Sequence, residues 1–511
     1  MLYKIKDFKV LANNITDLKE LIQKKYHLNN FSYRILSRSI DARNKENVYL
    51  VYDIMIDTNE LLKGKNISFY ELKKVELEYD TWKYSDTPII VGFGPAGIFA
   101  ALYLARCHAN PIIIERGSKI EERMEDVSHF LKEKQLNPNS NIQFGEGGAG
   151  AFSDGKLTTN VKNPYNQFIL EEFVSHGGPE DILYDKMPHI GTDILREVIK
   201  NIRLEIESLG GKFYFNTTFK DFKEEEKSII IFAGEYQFRT KHLLLGIGHS
   251  AKDTIRMLYN KHQIKMEAKA FSMGVRIEHQ ADKISVAQYG KYARFLPKAY
   301  YKLAYHMEDR GVYTFCMCPG GYVMASASEE ETIVTNGMSN YQREGKNSNS
   351  AILVDVRPSD YGGGVLDGLK YQELYEHLAF NVGGKNYQAP TNLVKEFLND
   401  EVALSYRSIT PSYPHGIHFA DLRKCLPDYV IKGIKEGIIH FDHKLHGFKD
   451  PDAILIGVET RSSSPVRILR DEMRKASIPY LYPMGEGAGY AGGIMSASLD
   501  GLITAIKINQ K

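Results

Sequence analysis

The sequence predicts an α/β fold in three units, and three observations carry that prediction. At 511 residues the chain is too long for one hydrophobic core, at about 150 residues per domain. Between residues 85 and 265, short apolar runs alternate with helical patterns, the signature of a parallel sheet with crossover helices. From 266 to 451 the pattern changes to short alternating runs typical of antiparallel sheet. A strand pattern at 453–457 and a glycine-rich segment from Gly485 then return to the character of residues 85–265. The expected layout is a small α/β unit at 1–84, a discontinuous parallel-sheet unit at 85–265 and 452–511, and an inserted mixed α+β unit at 266–451.

In the first unit, Leu18, Leu21, Ile22 and Tyr26 recur at helical spacing after the start signal Thr16-Asp17. Val48, Leu50, Tyr52, Ile54 and Ile56 alternate as a half-buried strand does. The turn residues 44–47 before them predict a hairpin with a strand at about 31–40. In the second unit Ile89-Ile90-Val91 and 111–114 are short apolar strands. Ile194, Leu195, Val198, Ile199, Ile202 and Ile206 mark a helix stopped by Gly210-Gly211. Residues 212–219 are expected as one strand, 223–239 as charged hairpin, and Leu243-Leu244-Leu245 as a buried strand. In the insertion, 271–277 and 311–315 read as antiparallel strands.

Composition excludes several classes. With 43% apolar and 25% charged residues the chain is neither disordered nor fibrous. Sixty-five basic against 64 acidic residues leave no global field that would draw it to nucleic acid or an anionic membrane. Residues 1–45 do carry ten basic and four acidic side chains, so an RNA-facing surface there is an open alternative to a solvated face. Four cysteines are too few for a disulfide framework, which points to a reducing, cytoplasmic setting. The 19 uncharged residues 87–105 approach the length of a membrane span, but Gly92, Gly94, Pro95 and Gly97 interrupt them. Strand, turn and helix is the better division, and no membrane association is expected.

That turn carries the sharpest motif. Gly92-Phe93-Gly94-Pro95-Ala96-Gly97 lies between an apolar strand and a helix, the arrangement in which a dinucleotide pyrophosphate rests on a helix N-terminus. Glu115 ends the next strand, 23 positions after Gly92, where a carboxylate accepts hydrogen bonds from ribose hydroxyls and disfavours a 2′-phosphate. Arg116 follows it as a further cofactor-binding candidate. Two more glycine-rich segments accompany the motif: 145–150, with Gly147, Gly148, Ala149 and Gly150, and 485–493, with Gly485, Glu486, Gly492 and Gly493, followed by Ile494 at a helix start. NAD fits one half-site and needs no remote C-terminal loop, whereas FAD is long enough to be gripped by both. The fold class is therefore a Rossmann-like FAD/NAD(P)-binding domain with an inserted α+β substrate domain and a small N-terminal α/β domain.

The chain resembles FAD-dependent dehydrogenases of the glutathione-reductase-related class, and most of all a family of uncharacterised bacterial flavoproteins with a small N-terminal domain. The resemblance spans nearly the whole chain and is most particular at FGEGGAGAFSDGKLTT, GIGHSAKDT, FCMCPGG, GVETRSSSPVRILRD and GEGAGYAGGIMSASLDG. It implies noncovalent FAD, Glu115 on the ribose, and Glu486 near the ribityl chain or pyrophosphate. The usual Ala-Thr-Gly after the third strand is replaced by Gly246-Ile247-Gly248, so only Gly248 carries over.

The resemblance supplies no substrate. A reduced flavin needs a cation or N–H group near it, for which Lys156 is a candidate, with an exposed loop lysine as the alternative. Arg461 and Arg467 flank Ser462-Ser463-Ser464-Pro465 and could orient an anionic substrate or form surface ion pairs. Cys316 and Cys318 invite a thiol redox reading, though strand alternation would put both on one face and free cysteine is often simply buried. His249 could touch the cofactor or cap a helix. The scattered histidines lack companion ligands, so no metal site is expected. No second strand–GxGxxG–helix unit follows, so the electron donor is the organic substrate or a nicotinamide, NADH or NADPH, that binds transiently. The expected activity is oxidoreduction through FAD. The rivals are a flavoprotein acting on RNA, a redox sensor using Cys316 and Cys318, and an NAD-dependent enzyme.

Overall fold

A computed structural model describes residues 1–72 and 75–510. Its architecture is mixed α/β.

The N-terminal unit is a four-stranded antiparallel sheet backed by the helix Leu18–Tyr26. The helix begins where the Asp17 side chain accepts from the Lys19 N–H at 2.8 Å, and buries Ile22 against Ile5, Phe8, Ile54 and Ile56. The expected hairpin forms, with Phe31–Asp41 paired antiparallel to Tyr49–Thr58. This unit is stitched to the rest of the chain. The Arg38 N–H donates to the Tyr184 carbonyl at 2.8 Å, the Lys186 N–H donates back to Arg38 at 2.9 Å, and the Arg38 guanidinium grips Asp185. One of the ten basic side chains of residues 1–45 thus turns inward.

The second layer is a five-stranded, all-parallel sheet. Its order is Leu481–Pro483, Leu243–Leu245, Ile89–Val91, Ile112–Ile114, Lys212–Tyr214. Each strand is only three residues long and nearly all apolar, as buried parallel strands are. The helix Thr192–Ser208 buries Leu195, Val198, Ile199, Ile202 and Ile206 along one stripe, and Gly210, at φ 94°, lets the chain turn away. At about 1.5–3 kcal/mol per fully buried aliphatic side chain, that stripe outweighs the helix's modest propensity. The strand expected at 212–219 is split in two. Residues 212–214 join the parallel sheet, and an antiparallel meander begins at Phe219.

The C-terminal helix Ile494–Asn509 crosses Pro95–Arg106 at close range: a Cβ on Gly501 would lie 2.0 Å from the Ala96 carbonyl oxygen. Gly501→Val is therefore expected to drive the two helices apart and lose soluble protein, checked by the yield of folded chain against Ala505→Val as a control.

The third body is a seven-stranded sheet that includes Phe271–Gln280, Gly311–Cys318, Asn347–Val356 and Ile454–Glu459. The last of these corrects the boundary expected at residue 452. Ile454–Glu459 pairs antiparallel with 274–278 and 391–393, inside the inserted sheet. An apolar run reads alike in the centre of either sheet, so the run alone does not say which one it joins. The chain returns through Val466–Ile468, paired with Met266–Ala268, and rejoins the parallel sheet at Leu481.

Candidate functional site

The first turn of the parallel unit is dictated by missing side chains. Gly92 has φ 92°, and a Cβ on it would stand 2.3 Å from the Gly246 carbonyl. A Cβ on Gly97 would stand 1.9 Å from the Gly92 carbonyl, so this glycine packs helix on strand. Gly94 caps the helix Pro95–Arg106 with no side-chain acceptor, leaving its N-terminal donors and positive dipole end toward open space.

The other glycine-rich segments converge there. The Gly147 N–H donates to the Phe93 carbonyl at 2.8 Å, and a Cβ on Gly148 would stand 3.0 Å from the Gly94 Cα. A Cβ on Gly150 would touch Ile494, and one on Gly487 would lie 2.4 Å from the Gly248 carbonyl oxygen. Together they wall a cavity of about 790 Å³, within the ordinary ligand-pocket range of about 300–1,000 Å³. Of the residues expected from sequence to bind a cofactor, Gly92, Gly94, Pro95, Ala96, Glu115, Gly148, Ala149, Gly150, Gly248, Glu486, Gly492, Gly493 and Ile494 line it. Gly97, Gly147 and Gly485 sit behind its wall as packing positions. Arg116 turns away, paired with Asp253 at 2.8 Å and lying over the Phe144 ring.

Glu115 is 5% exposed and accepts from the N–H groups of Phe93 at 2.8 Å and of Gly117 and Gly145 at 3.0 Å. It ties the first turn to the second glycine segment while still reaching the cavity. Sequence reasoning misses Arg123 altogether. Fully buried, it donates to the carbonyls of Asn141, Ile142, Glu146 and Gly148 at 2.6–3.0 Å and so props the whole 141–148 loop. Arg123→Met is expected to orphan four acceptors at about 1–3 kcal/mol each before relaxation. The readouts are a lowered melting temperature and loss of the cavity's ligand together.

The opposite wall comes from the inserted sheet and the 153–161 loop. Lys156 is no surface lysine. Its ammonium donates to the Met317 carbonyl, lies 3.5 Å from Asp154 and stands 4.8 Å from the Tyr300 ring centroid. Burial opposes its charge, but Asp154, Cys316 and Cys318 outweigh burial and hold its pKa above the ordinary lysine value. Cys316 lines the cavity half-buried, whereas Cys318 is fully buried. Arg276, also unforeseen, is fully buried and pairs twice with Glu459, at 2.8 and 3.1 Å. Burial pushes the Glu459 carboxyl up to about 7 against the pull of Arg276.

Arg461 reaches the cavity but offers no free fork. Its donors are committed to Glu376 at 2.7 and 2.9 Å, to Ser250 and Ser328, and to Glu329. The orienting role expected for it is replaced by one inside a buried ion network, which includes Lys252 beside Glu376 at 3.2 Å. Arg467 also lines the cavity and pairs with Glu267 at 3.0 Å. His249 Nδ1 lies 3.0 Å from a Glu486 carboxylate oxygen, and its buried Nε2 has no hydrogen-bond partner among the described residues. Among the described residues no cluster of potential metal ligands occurs, and no helix is long and apolar enough to cross a membrane.

A dinucleotide fits this cavity by its glycines. A Cβ on Gly248, Gly492 or Gly493 would meet no protein atom within 4 Å, so these positions leave room that the fold itself does not fill. With the orphaned His249 Nε2, they form a cradle larger and more polar than packing requires. Comparison with known proteins supplies the class. Residues 270–462 match the family described as FAD-dependent protein, C-terminal domain-like, and FAD is the cofactor of this chain. An uncharacterized protein of Clostridium beijerinckii is 47% identical over 495 residues, covering 93% of this chain and 92% of that protein. The chain belongs to the family of that clostridial protein. Among solved structures, CtdE in complex with FAD is 12% identical, covers 83% of this chain and 86% of its own, and superposes with a TM-score of 0.33. The halogenase PltM in complex with phloroglucinol and FAD is 10% identical, covers 83% and 68%, and gives 0.37. Likenesses of that order decide neither fold nor activity.

Proposed function

We propose that the chain is an FAD-dependent oxidoreductase whose parallel-sheet unit is a Rossmann-like dinucleotide-binding domain, with the inserted sheet as its substrate wall. One observation carries the reading. Four glycine-rich segments, around residues 92, 148, 248 and 492, meet at a single cavity whose far side is formed by the FAD-dependent domain. Gly94, Pro95 and Ala96 would hold the pyrophosphate at one helix N-terminus, with Gly492, Gly493 and Ile494 presenting a second. Glu115, with three backbone donors already fixing its orientation, would hold the ribose.

Bound FAD supplies two-electron redox chemistry. The residues supply charge and proton control around it. Lys156, held cationic, stabilises negative charge that develops beside it. Asp154, 1% exposed, keeps that ammonium in place. Glu459, poised near neutrality, is placed to hold or release a proton at the cavity wall. The inserted sheet and the 153–161 loop wall the side of the cavity opposite the glycine segments. An organic substrate or a transient NADH or NADPH delivers the electrons.

The purified chain should carry the visible absorption of flavin, or acquire it on reconstitution with FAD. Anaerobic mixing with a panel of NADH, NADPH and organic reductants should bleach it with at least one member. A colourless protein after reconstitution removes the proposal.

A further inference from the structure

Cys316 and Cys318 end the strand Gly311–Cys318, and that end is irregular. Pairing with Asn347–Val356 slips between Phe315 and Cys318, and Cys316 adopts φ 42°, a left-handed conformation that non-glycine residues seldom take. The slip undoes simple alternation and turns the Cys318 thiol back onto the Cys316 backbone. The Cys318 Sγ lies 3.2 Å from the Cys316 carbonyl oxygen and 3.8 Å from Arg276 Nη2. Their surroundings differ. Cys316 opens onto the cavity, while Cys318 is packed under Gly337, where a Cβ would come within 2.5 Å of its sulfur.

Two cations fix the segment: Arg276 Nη2 donates to the Cys316 carbonyl at 2.5 Å, and Lys156 donates to the next carbonyl, of Met317. The neighbouring Cys318 side chain lowers the Cys316 thiol to about 6, with Lys156 and Arg276 adding to it against burial, and burial raises Cys318. One cysteine is thus an accessible thiolate and the other a buried thiol beside it. That is the asymmetry of an attacking and a resolving sulfur. The pair is carried by the inserted sheet, within the FCMCPGG stretch, to which the resemblance assigns no role.

We propose that Cys316 and Cys318 form a redox dithiol that exchanges two electrons with the FAD of the same chain. The proposal rests on FAD occupying this cavity. On oxidation, a Cys316–Cys318 sulfur–sulfur bond forms, the Cys318 S–H bond breaks, and two electrons with that one proton pass to oxidised FAD. In the reverse direction reduced FAD returns two electrons and a proton, and the pair reopens as thiolate and thiol. The chain then stores two electron pairs, one on the flavin and one on sulfur.

Anaerobic reductive titration of the holoprotein with dithionite tests this. The wild type should take up about twice the electrons per flavin that Cys318→Ser takes up. Independently of any variant, air-oxidised wild type unfolded without reductant should show two of its four thiols to a chromogenic disulfide reagent, and all four after prior reduction. Four free thiols in the oxidised protein with flavin retained overturn the dithiol and leave the flavoprotein reading standing. Failure of the wild type to hold flavin overturns the placement of FAD, and the dithiol with it.

Discussion

Gly493→Val is expected to leave the chain folded and strip it of flavin. Gly493 precedes the helix Ile494–Asn509 with extended backbone, φ 173°, which valine adopts freely. No protein atom lies within 4 Å of the place where its Cβ would stand, so the substitution creates no internal clash. The branched side chain projects into the cavity instead, at a helix N-terminus proposed to meet the cofactor. A loss of more than about a hundredfold in FAD affinity, about 2.7 kcal/mol, is expected, with Gly493→Ala intermediate. Flavin fluorescence quenching measures the affinity, and circular dichroism of the apoprotein measures the fold. Wild-type affinity in Gly493→Val would show that the cofactor lies elsewhere.

A large, pH-dependent loss of stability is expected from Glu376→Ala. Glu376 is fully buried on the helix Asp367–Val382 and lies between Arg461 and Lys252, the latter 1% exposed on the helix Lys252–Asn260. Removing the carboxylate leaves, among the described residues, Lys252 paired with Glu329 and Glu373 and Arg461 paired with Glu329. Breaking a buried pair in this way costs about 3–5 kcal/mol. Burial alone would raise the Glu376 pKa, but Arg461 and Lys252 pull it well below the usual carboxylate range. Folding therefore favours the ionised form. Its contribution is complete above the unfolded carboxylate pKa of 4.5 and drains away as pH falls below it. Urea midpoints of wild type and Glu376→Ala should be far apart at pH 7 and converge in acid. A constant separation down to pH 3 would deny Glu376 its ionic role.

Glycine makes much of this site legible in the sequence. Its presence at 92, 97 and 148 marks places where backbone approaches too closely for a Cβ, and at 94, 248 and 493 places proposed to face the cofactor, and that constraint is local along the chain. The helix ending at Gly210 is legible for a related reason, because an apolar stripe and a terminator lie within one segment. Arg123, Arg276 and Glu376 are not legible. Each is a charge whose partners lie far along the chain, and a charged side chain alone looks solvated. Arg276 does leave a trace, since it interrupts the apolar run of Phe271–Gln280, where only a paired charge can be buried. Arg461 is visible yet misassigned, because sequence shows a guanidinium and not the acceptors already using it. Alternation puts the two cysteines on one face, and the bulge that separates their environments has no sequence signal beyond Cys316 itself.

The order of the parallel sheet also governs when the protein can become functional. Its edge strand Leu481–Pro483 and the helix Ile494–Asn509 are synthesised after the entire seven-stranded sheet. A ribosome-bound chain can complete the inserted body while the parallel sheet still lacks its edge and one of the two helix ends proposed to face the cofactor. With FAD placed as proposed, its uptake is a late event in biogenesis, and a chain truncated shortly before residue 481 should accumulate as a folded insert on an open, flavin-free frame.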